Sequence, residues 1–579
     1  MSRTTPEFCE RISHPAAYRH LRAVACRLAI GLAATGMLTL SGSGAVQAQS
    51  SGLTTLPALP AGSPAYLKET WRSALSAPAP LATTPSVIPP TLPHRFTDVD
   101  PLGTIGSYQL GGLVHTAADA FFQPLGTNGR SCGSCHVPAQ GMGVSVAGLN
   151  ERFDASGPSD PVFAPVDGAN CPSAVTGSLT SAAPLGGVVG VGSNDEYDPR
   201  PYSLALSRGV FRIFLPLPAN SEFTVKIVRD APGCNVNPNY NQTLDETGHK
   251  TRIISVYRRP KVSTNLQFMT STLATTNPAI YAFDPYTGVP LPVDTNGVVE
   301  SGNIMWDGRE PTLQSQAINA TLTHAQALKA PTSAQVKQIV DFETQFFSAQ
   351  ATLNGAGSLT EYGAQGGPES LAATPAALPT DAATNPNYDP MTLFDAWSTN
   401  TGTSKVDKMR QSIYRGEQIF LNRPFTISNV PGFNDVPPAN NSFAGSCAFC
   451  HSQAAAGTDL FPRSQQDIGT TGTSSAFGGS PPANDLPVFE LRCKAGAGTP
   501  YAGSVVRTND PGLALITGKC ADIGKVTVST LRGLAARAPY FHDGSAATLM
   551  DVINFYDRRF SIGLSAQDKI DLVNFLNAL

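Results

Sequence analysis

The sequence contains the pentapeptide Cys-x-x-Cys-His twice, as Cys132-Gly133-Ser134-Cys135-His136 and as Cys447-Ala448-Phe449-Cys450-His451. Nothing else in the chain constrains its folding as strongly. Two thiols so spaced can add across the vinyl groups of one porphyrin, and the histidine beside the second thiol can bind its iron, which is what a covalently held c-type haem requires. A zinc site would need a further Cys or His pair beside each motif, and a thioredoxin-like dithiol would need a strand–helix–strand setting. Neither accompanies these motifs. The chain is therefore expected to carry two covalent haems, attached through Cys132, Cys135, Cys447 and Cys450, with His136 and His451 as proximal iron ligands.

The other cysteines and the N-terminus point to export. Arg19, Arg22 and Arg27 precede the apolar run Leu28–Leu40, and Ala45-Val46-Gln47-Ala48 offers small residues for cleavage. Residues 1–48 read as a signal peptide, because the apolar run falls short of the roughly 20 residues that span a bilayer. No later segment is expected to cross a membrane. Removing the signal takes Cys9 and Cys26 with it. Outside the haem motifs Cys171, Cys234, Cys493 and Cys520 then remain, and in an oxidising compartment they pair most simply by locality, Cys171–Cys234 and Cys493–Cys520. A periplasmic or secreted location follows. The formal net charge is −4 and there is no basic run, which argues against nucleic acid or an anionic membrane surface as a partner.

With 53 Gly, 48 Pro and only 14% charged residues, the chain should contain long stretches of loop. Residues 49–95 read as a Pro/Ala-rich tether. Residues 96–350 read as a first haem domain, interrupted at about 150–300 by an insertion of loops and short strands such as Glu222–Val228 and Thr251–Tyr257. Residues 351–404 read as a linker. Residues 405–579 read as a second haem domain, opening on a helix around Val406–Asn422. The expected fold is mainly α: two cytochrome c-like haem domains with a loop- and strand-rich insertion in the first.

The two halves echo each other beyond the haem motifs. Ser333-Ala334-Gln335-Val336-Lys337 recurs as Ser565-Ala566-Gln567-Asp568-Lys569, each time opening an amphipathic helix. Ser565 is a natural N-cap with Asp568 three residues on. Val336, Ile339, Val340 and Phe346 make one apolar stripe, and Ile570, Val573, Leu576 and Leu579 make the other. Upstream, Asp307-Gly308 with Thr312-Leu313 matches Asp543-Gly544 with Thr548-Leu549, and Ile318-Asn319 matches Ile553-Asn554. Several echoes in one order indicate an internal duplication. In it Trp306 takes the place of His542.

The run Leu531-Arg532-Gly533-Leu534-Ala535-Ala536-Arg537-Ala538-Pro539-Tyr540-Phe541-His542-Asp543-Gly544, continued by Ala547-Thr548-Leu549, resembles the C-terminal signature of bacterial di-haem cytochrome c peroxidases and MauG-type enzymes. Met305-Trp306-Asp307-Gly308-Arg309, with Gln316-Ala317, resembles the Phe-Trp-Asp-Gly-Arg segment of the same superfamily. Rubber-cleaving di-haem oxygenases also belong to it. The likeness covers both haem regions and leaves the insertion unexplained. It implies that Trp306 lies between the haems and relays electrons. The peroxidases place an acid–base glutamate some way after this segment, and the matching position here is Gln326, whose amide cannot shuttle a proton as a carboxylate can. His324, two residues away, is open to either role, acid–base group or ligand to the first iron. For the second iron the distal ligand is His542, Tyr556 or Met550, with Tyr556 preferred because it sits near where MauG-type enzymes use tyrosine. Met269 and Met305 are further methionine candidates. Arg258, Arg259 and Arg532 are candidates to neutralise haem propionates.

These readings converge on a di-haem oxidoreductase. The N-terminal haem would react with hydrogen peroxide or oxygen, and the C-terminal haem would take electrons from a small redox protein or other donor. An oxygenase acting on a bulky organic substrate and a plain electron carrier are the alternatives. The resemblance also implies a calcium ion between the halves, with no ligands assigned.

Overall fold

The computed structural model describes residues 88–176, 197–244, 250–270, 301–373, 392–435, 442–452, 456–459, 463–473, 482–498 and 500–579. The expected signal peptide and most of the expected tether lie outside these residues. No helix among the described residues is long and apolar enough to cross a membrane.

The duplication read from the sequence is present in the backbone. Thr312 and Thr548 each close a capping box, with Ser315 and Asp551, and open the helices Leu313–Thr323 and Leu549–Phe560. Just before them, an isolated bridge joins Ile304 to Glu310 and another joins Tyr540 to Ala546. Within these loops Met305 and Phe541 share a φ of 65°, and Gly308 and Gly544 have φ of 64° and 67°. Two side-chain-bearing residues held in the left-handed region at matched positions show that the loop shape itself is repeated.

The second shared helix is Ser333–Gln345 in one half and Ala566–Asn577 in the other, capped by Thr332 and by Ser565. The caps shift the sequence match by one residue, since Thr332 rather than Ser333 is the counterpart of Ser565. On the corrected register Ile339 meets Leu572, Phe342 meets Phe575 and Glu343 meets Leu576. The packing agrees: Phe342 lies 4.6 Å from Phe121, whose ring is 6.2 Å from His136, while Phe575 lies 5.5 Å from Phe420, whose ring is 6.3 Å from His451. Each buried phenylalanine contributes about 1.5–3 kcal/mol. Helix Lys405–Asn422 packs closely on Ala566–Asn577 because Gly416 has no side chain; a Cβ there would lie 2.0 Å from the Asp571 carbonyl oxygen.

The expectation of a mainly α fold is corrected by the sheets. The described residues include sixteen strands arranged in six sheets. One four-stranded antiparallel sheet runs Gly357–Ser358, Phe346–Leu353, Gly103–Gln109, Arg95–Asp100. Its strand Phe346–Leu353 follows directly on a helix and crosses the expected boundary at 350. The segment 351–404, read as linker, also carries the helix Gly367–Ala373 and the turn Asp395–Thr399. The insertion strands lie close to their expected positions, at Phe223–Arg229 and Lys250–Arg258. The first pairs with Val488–Cys493 of the C-terminal half, so the insertion is stitched to the far end of the chain. Such a partner lies more than two hundred residues away, and local periodicity carries no signal of it. Leu215, Ile254 and Val256 share one buried cluster with Phe489 and Leu491. Disulfides join Cys171 to Cys234, with Cα atoms 5.5 Å apart, and Cys493 to Cys520, 6.1 Å apart. These are the two pairings expected from locality.

Candidate functional site

Each Cys-x-x-Cys-His motif forms a wall of its own cavity. The Cys132–Ser134 and Cys447–Cys450 segments are single helical turns, and both cysteines of each motif line its cavity. The histidine geometry is then repeated. His136 Nδ1 lies 2.9 Å from the Met142 carbonyl oxygen, and His451 Nδ1 lies 2.9 Å from the Gly457 carbonyl oxygen, six residues on in both cases. A carbonyl only accepts, so Nδ1 carries the proton and donates it, and Nε2 is the ring nitrogen with a free lone pair. This is the orienting bond that iron- and zinc-bound histidines make through their second nitrogen. Burial holds His136 down at about 4 and His451 below the ordinary histidine range, which favours the neutral, ligating form.

In the second cavity, which both residues line, the Tyr556 hydroxyl stands 3.4 Å from His451 Nε2. Tyr556 is half-buried, and loss of solvent around its hydroxyl raises its pKa. His542 lines the same cavity, 2% exposed, and neither of its ring nitrogens has a hydrogen-bond partner; Asp510 Oδ2 is 3.7 Å away. Met550 is not among the residues that line this cavity. In the first cavity Met269, Met305 and His324 are all in the wall. Among the described residues no side chain bonds His136 Nε2 as Tyr556 bonds His451.

Four residues belong to both cavities: Arg259, Pro260, Lys261 and Trp306. Trp306 donates its indole N–H to the Arg259 carbonyl at 2.7 Å, and its ring lies 6.0 Å from that of His542. Lys261 Nζ sits 5.4 Å over the Trp306 ring and donates to the Asn303 carbonyl and the Thr527 hydroxyl. Arg259 donates to the carbonyls of Arg208, Val144 and Arg537, and Arg537 to those of Arg532 and Thr530. None of these three cations, Arg259 buried and Lys261 and Arg537 half-buried, forms an ion pair with a carboxylate among the described residues. Burial accordingly lowers Lys261 to about 7, Arg259 to about 9 and Arg537 to about 10. Desolvated cations with no carboxylate partner are what anionic propionates would satisfy. Arg258 is different: it is already held between Asp307 and Asp510, whose attraction outweighs the burial that would lower it. Arg532 is not in the lining of either cavity.

His324 ends the helix Leu313–Thr323 and faces the first cavity, with Nδ1 2.5 Å from Asp167 Oδ2. Gln326 turns away. Its backbone has φ of 54°, its amide oxygen accepts from Asn128 at 3.4 Å, and it does not line the cavity. Glu343 does, and sequence reasoning missed it. It is 3% exposed, its Oε2 has no partner, and burial lifts it to about 8. The available signal was its place on the apolar stripe of its own helix. Asp167, Lys261 and Arg537 were likewise missed, since their roles arise from contacts distant in sequence. No group of three or more His, Cys, Asp or Glu side chains gathers to hold a metal ion among the described residues, so no calcium ligands are assigned.

No family model matches the chain. It is 37% identical over 81 residues to the cytochrome-c peroxidase IdrP1 of Pseudomonas sp. (strain SCT), covering 12% of this chain and 21% of that protein. It is 34% identical over 93 residues to the cytochrome-c peroxidase IdrP1 of Denitromonas iodatirespirans, covering 14% and 25%. The chain thus spans a quarter or less of the curated relatives it matches. Among solved structures, a MauG-like protein associated with microbial copper homeostasis aligns over 55% of this chain and 89% of its own, at 14% identity and a TM-score of 0.25.

Proposed function

We propose that the chain is an exported di-haem c-type oxidoreductase of peroxidase type, in which the His136 cavity performs the chemistry and the His451 cavity takes in electrons. The observation that carries this reading is the repeated histidine geometry, with one free Nε2 facing a tyrosine hydroxyl and the other not. The partial likeness to two cytochrome-c peroxidases supports the reaction class.

Cys132, Cys135 and His136 would hold one haem, and Cys447, Cys450 and His451 the other, with Arg259, Lys261 and Arg537 placed to neutralise propionates. A bound haem supplies a one-electron iron couple, and one with an open axial face also binds peroxide or oxygen. Tyr556, with His542 beside it, closes the second cavity against such ligands. His324 serves the first cavity as acid–base group, taking a proton from hydrogen peroxide at Nε2 and returning it to the departing oxygen. Trp306, in the wall of both cavities, carries electrons from the second to the first. A small redox protein supplies them. Gln326, bonded to Asn128, takes no part in proton transfer.

Denatured protein should retain two covalent haems, and Cys135→Ala and Cys450→Ala should each lose one. The reduced protein should consume peroxide. One haem in the parent protein, or no peroxide turnover with a reduced donor, would refute the reading.

A further inference from the structure

We propose that Asp167, a residue of the insertion, is the positioning residue of the first cavity: its carboxylate holds His324 in the tautomer and orientation that present Nε2 to the cavity. This rests on reading the His136 cavity as the reactive one.

The insertion supplies Arg259 and Lys261 to both cavities, and it is also the segment that brings Asp167 to His324. Asp167 is 2% exposed, and its two oxygens divide the work. Oδ2 accepts from His324 Nδ1 at 2.5 Å, while Oδ1 pairs with Arg130. Arg130 is 3% exposed and is itself fixed, donating to the carbonyls of Pro161 at 2.6 Å and Val162 at 2.5 Å. It also donates to the carbonyls of Ala164 at 3.5 Å and His324 at 3.3 Å, and Asn128 donates to that same His324 oxygen at 2.8 Å. Both ends of His324 are therefore held by one built cluster. The backbone joins in: the Asp167 carbonyl accepts from Arg212 N at 2.9 Å, tying the loop to strand Phe211–Pro216, whose Phe211 and Ile213 line the cavity.

The chemistry follows from the donor inventory. An ionised carboxylate only accepts, so its bond to Nδ1 places the imidazole proton there and the lone pair on Nε2. Burial would push Asp167 up, but Arg130 and His324 outweigh it and keep the carboxyl below its ordinary range, hence charged. A charged partner also stabilises the imidazolium formed when Nε2 takes a proton, the role the buried carboxylate plays in a Ser-His-Asp triad. The other charged or titratable groups around His324 are Arg212, Arg309 and Glu310 in the adjoining pocket and, in the shared cavity, His136, Glu343, Arg258, Arg259, Lys261 and the thiols of Cys132 and Cys135.

The test uses the haem-loaded protein and has two arms. In the first, carbethoxylation of His324 by diethyl pyrocarbonate is followed by mass spectrometry over roughly pH 5–9; the reagent attacks the neutral ring, so the rate titrates the histidine. The parent protein should be labelled, since the His324 side chain is 33% exposed. Asp167→Asn should lower the midpoint by about one unit or more, because an anionic neighbour is lost. In the second arm, Asp167→Asn should slow the reaction with hydrogen peroxide by about tenfold or more in the parent and not at all in a His324→Ala background. If the buried charge of Arg130 then prevents folding, the double variant Arg130→Gln/Asp167→Asn carries the same readouts. An unmoved midpoint, or equal loss of rate in both backgrounds, would overturn the proposal. So would complete protection of His324 in the parent protein, which would mark it as an iron ligand. A parent protein that ignores peroxide while the midpoint moves would keep the Asp167–His324 pair and discard the reactive-cavity reading.

Discussion

Trp306 and His542 occupy equivalent positions in the two halves of the chain, and their rings meet edge to face at 6.0 Å. Both lie on a repeated loop, one residue after Met305 and Phe541, whose φ of 65° turns each loop the same way. The two copies of the loop therefore bring their aromatic residues together where the cavities adjoin. Divergence at that point gives one copy an indole that reaches both cavities and the other an imidazole that lines the second alone.

Trp306→Phe should leave both haems attached and slow the arrival of electrons in the first cavity by roughly tenfold or more, an added barrier of about 1.4 kcal/mol. Stopped-flow reduction with the second haem loaded first measures this. An unchanged rate would remove Trp306 from the electron path.

Tyr556→Phe should change the second iron and leave the first untouched. The hydroxyl 3.4 Å from His451 Nε2 is lost, so the visible spectrum of that haem should shift toward a five-coordinate form. His542→Phe should preserve the parent spectrum. The opposite pattern would make His542 the ligand.

Glu343 should make stability fall as pH rises. Its folded-state pKa of about 8 lies above the ordinary glutamate value of 4.5, so the folded protein holds the proton more tightly than the unfolded chain. The protonated group's contribution is complete below about 4.5 and is lost as pH rises through about 8. Glu343→Gln keeps the shape without the charge. Thermal melts at the two ends of that range should show a decline in the parent protein that is smaller in the variant; equal declines would refute the assignment.

Replacing both Cys171 and Cys234 by Ser should cost about 2–5 kcal/mol. Urea unfolding gives the figure, and mass spectrometry of unreduced peptides should recover the Cys171–Cys234 and Cys493–Cys520 links. Free thiols at these positions would contradict the structure.

Much of the site was legible because its elements are short-range. Cys-x-x-Cys-His puts two thiols and a histidine within about one turn of chain, and the capping boxes at Thr548 and Ser565 mark helix starts from four consecutive residues. The duplication was legible too, although the caps show that Thr332, not Ser333, answers Ser565. The sheets were not legible as a fold, because Phe223–Arg229 finds its partner at Val488–Cys493. Gln326 was placed by counting along the chain, and a left-handed backbone at that residue turns it to Asn128 instead. Asp167 reaches His324 across 157 positions, a contact no motif encodes. Glu343 could have been noticed, as a lone carboxyl on a helix face otherwise given to Val336, Ile339 and Phe342.

The most direct test of the account is the electron paramagnetic resonance spectrum of the ferric protein before and after peroxide. The account predicts two species: a high-spin signal from the iron on His136, altered by peroxide once one electron has been supplied, and a low-spin signal from the iron on His451. Two low-spin signals that ignore peroxide, even after one-electron reduction, would contradict it and leave an electron carrier.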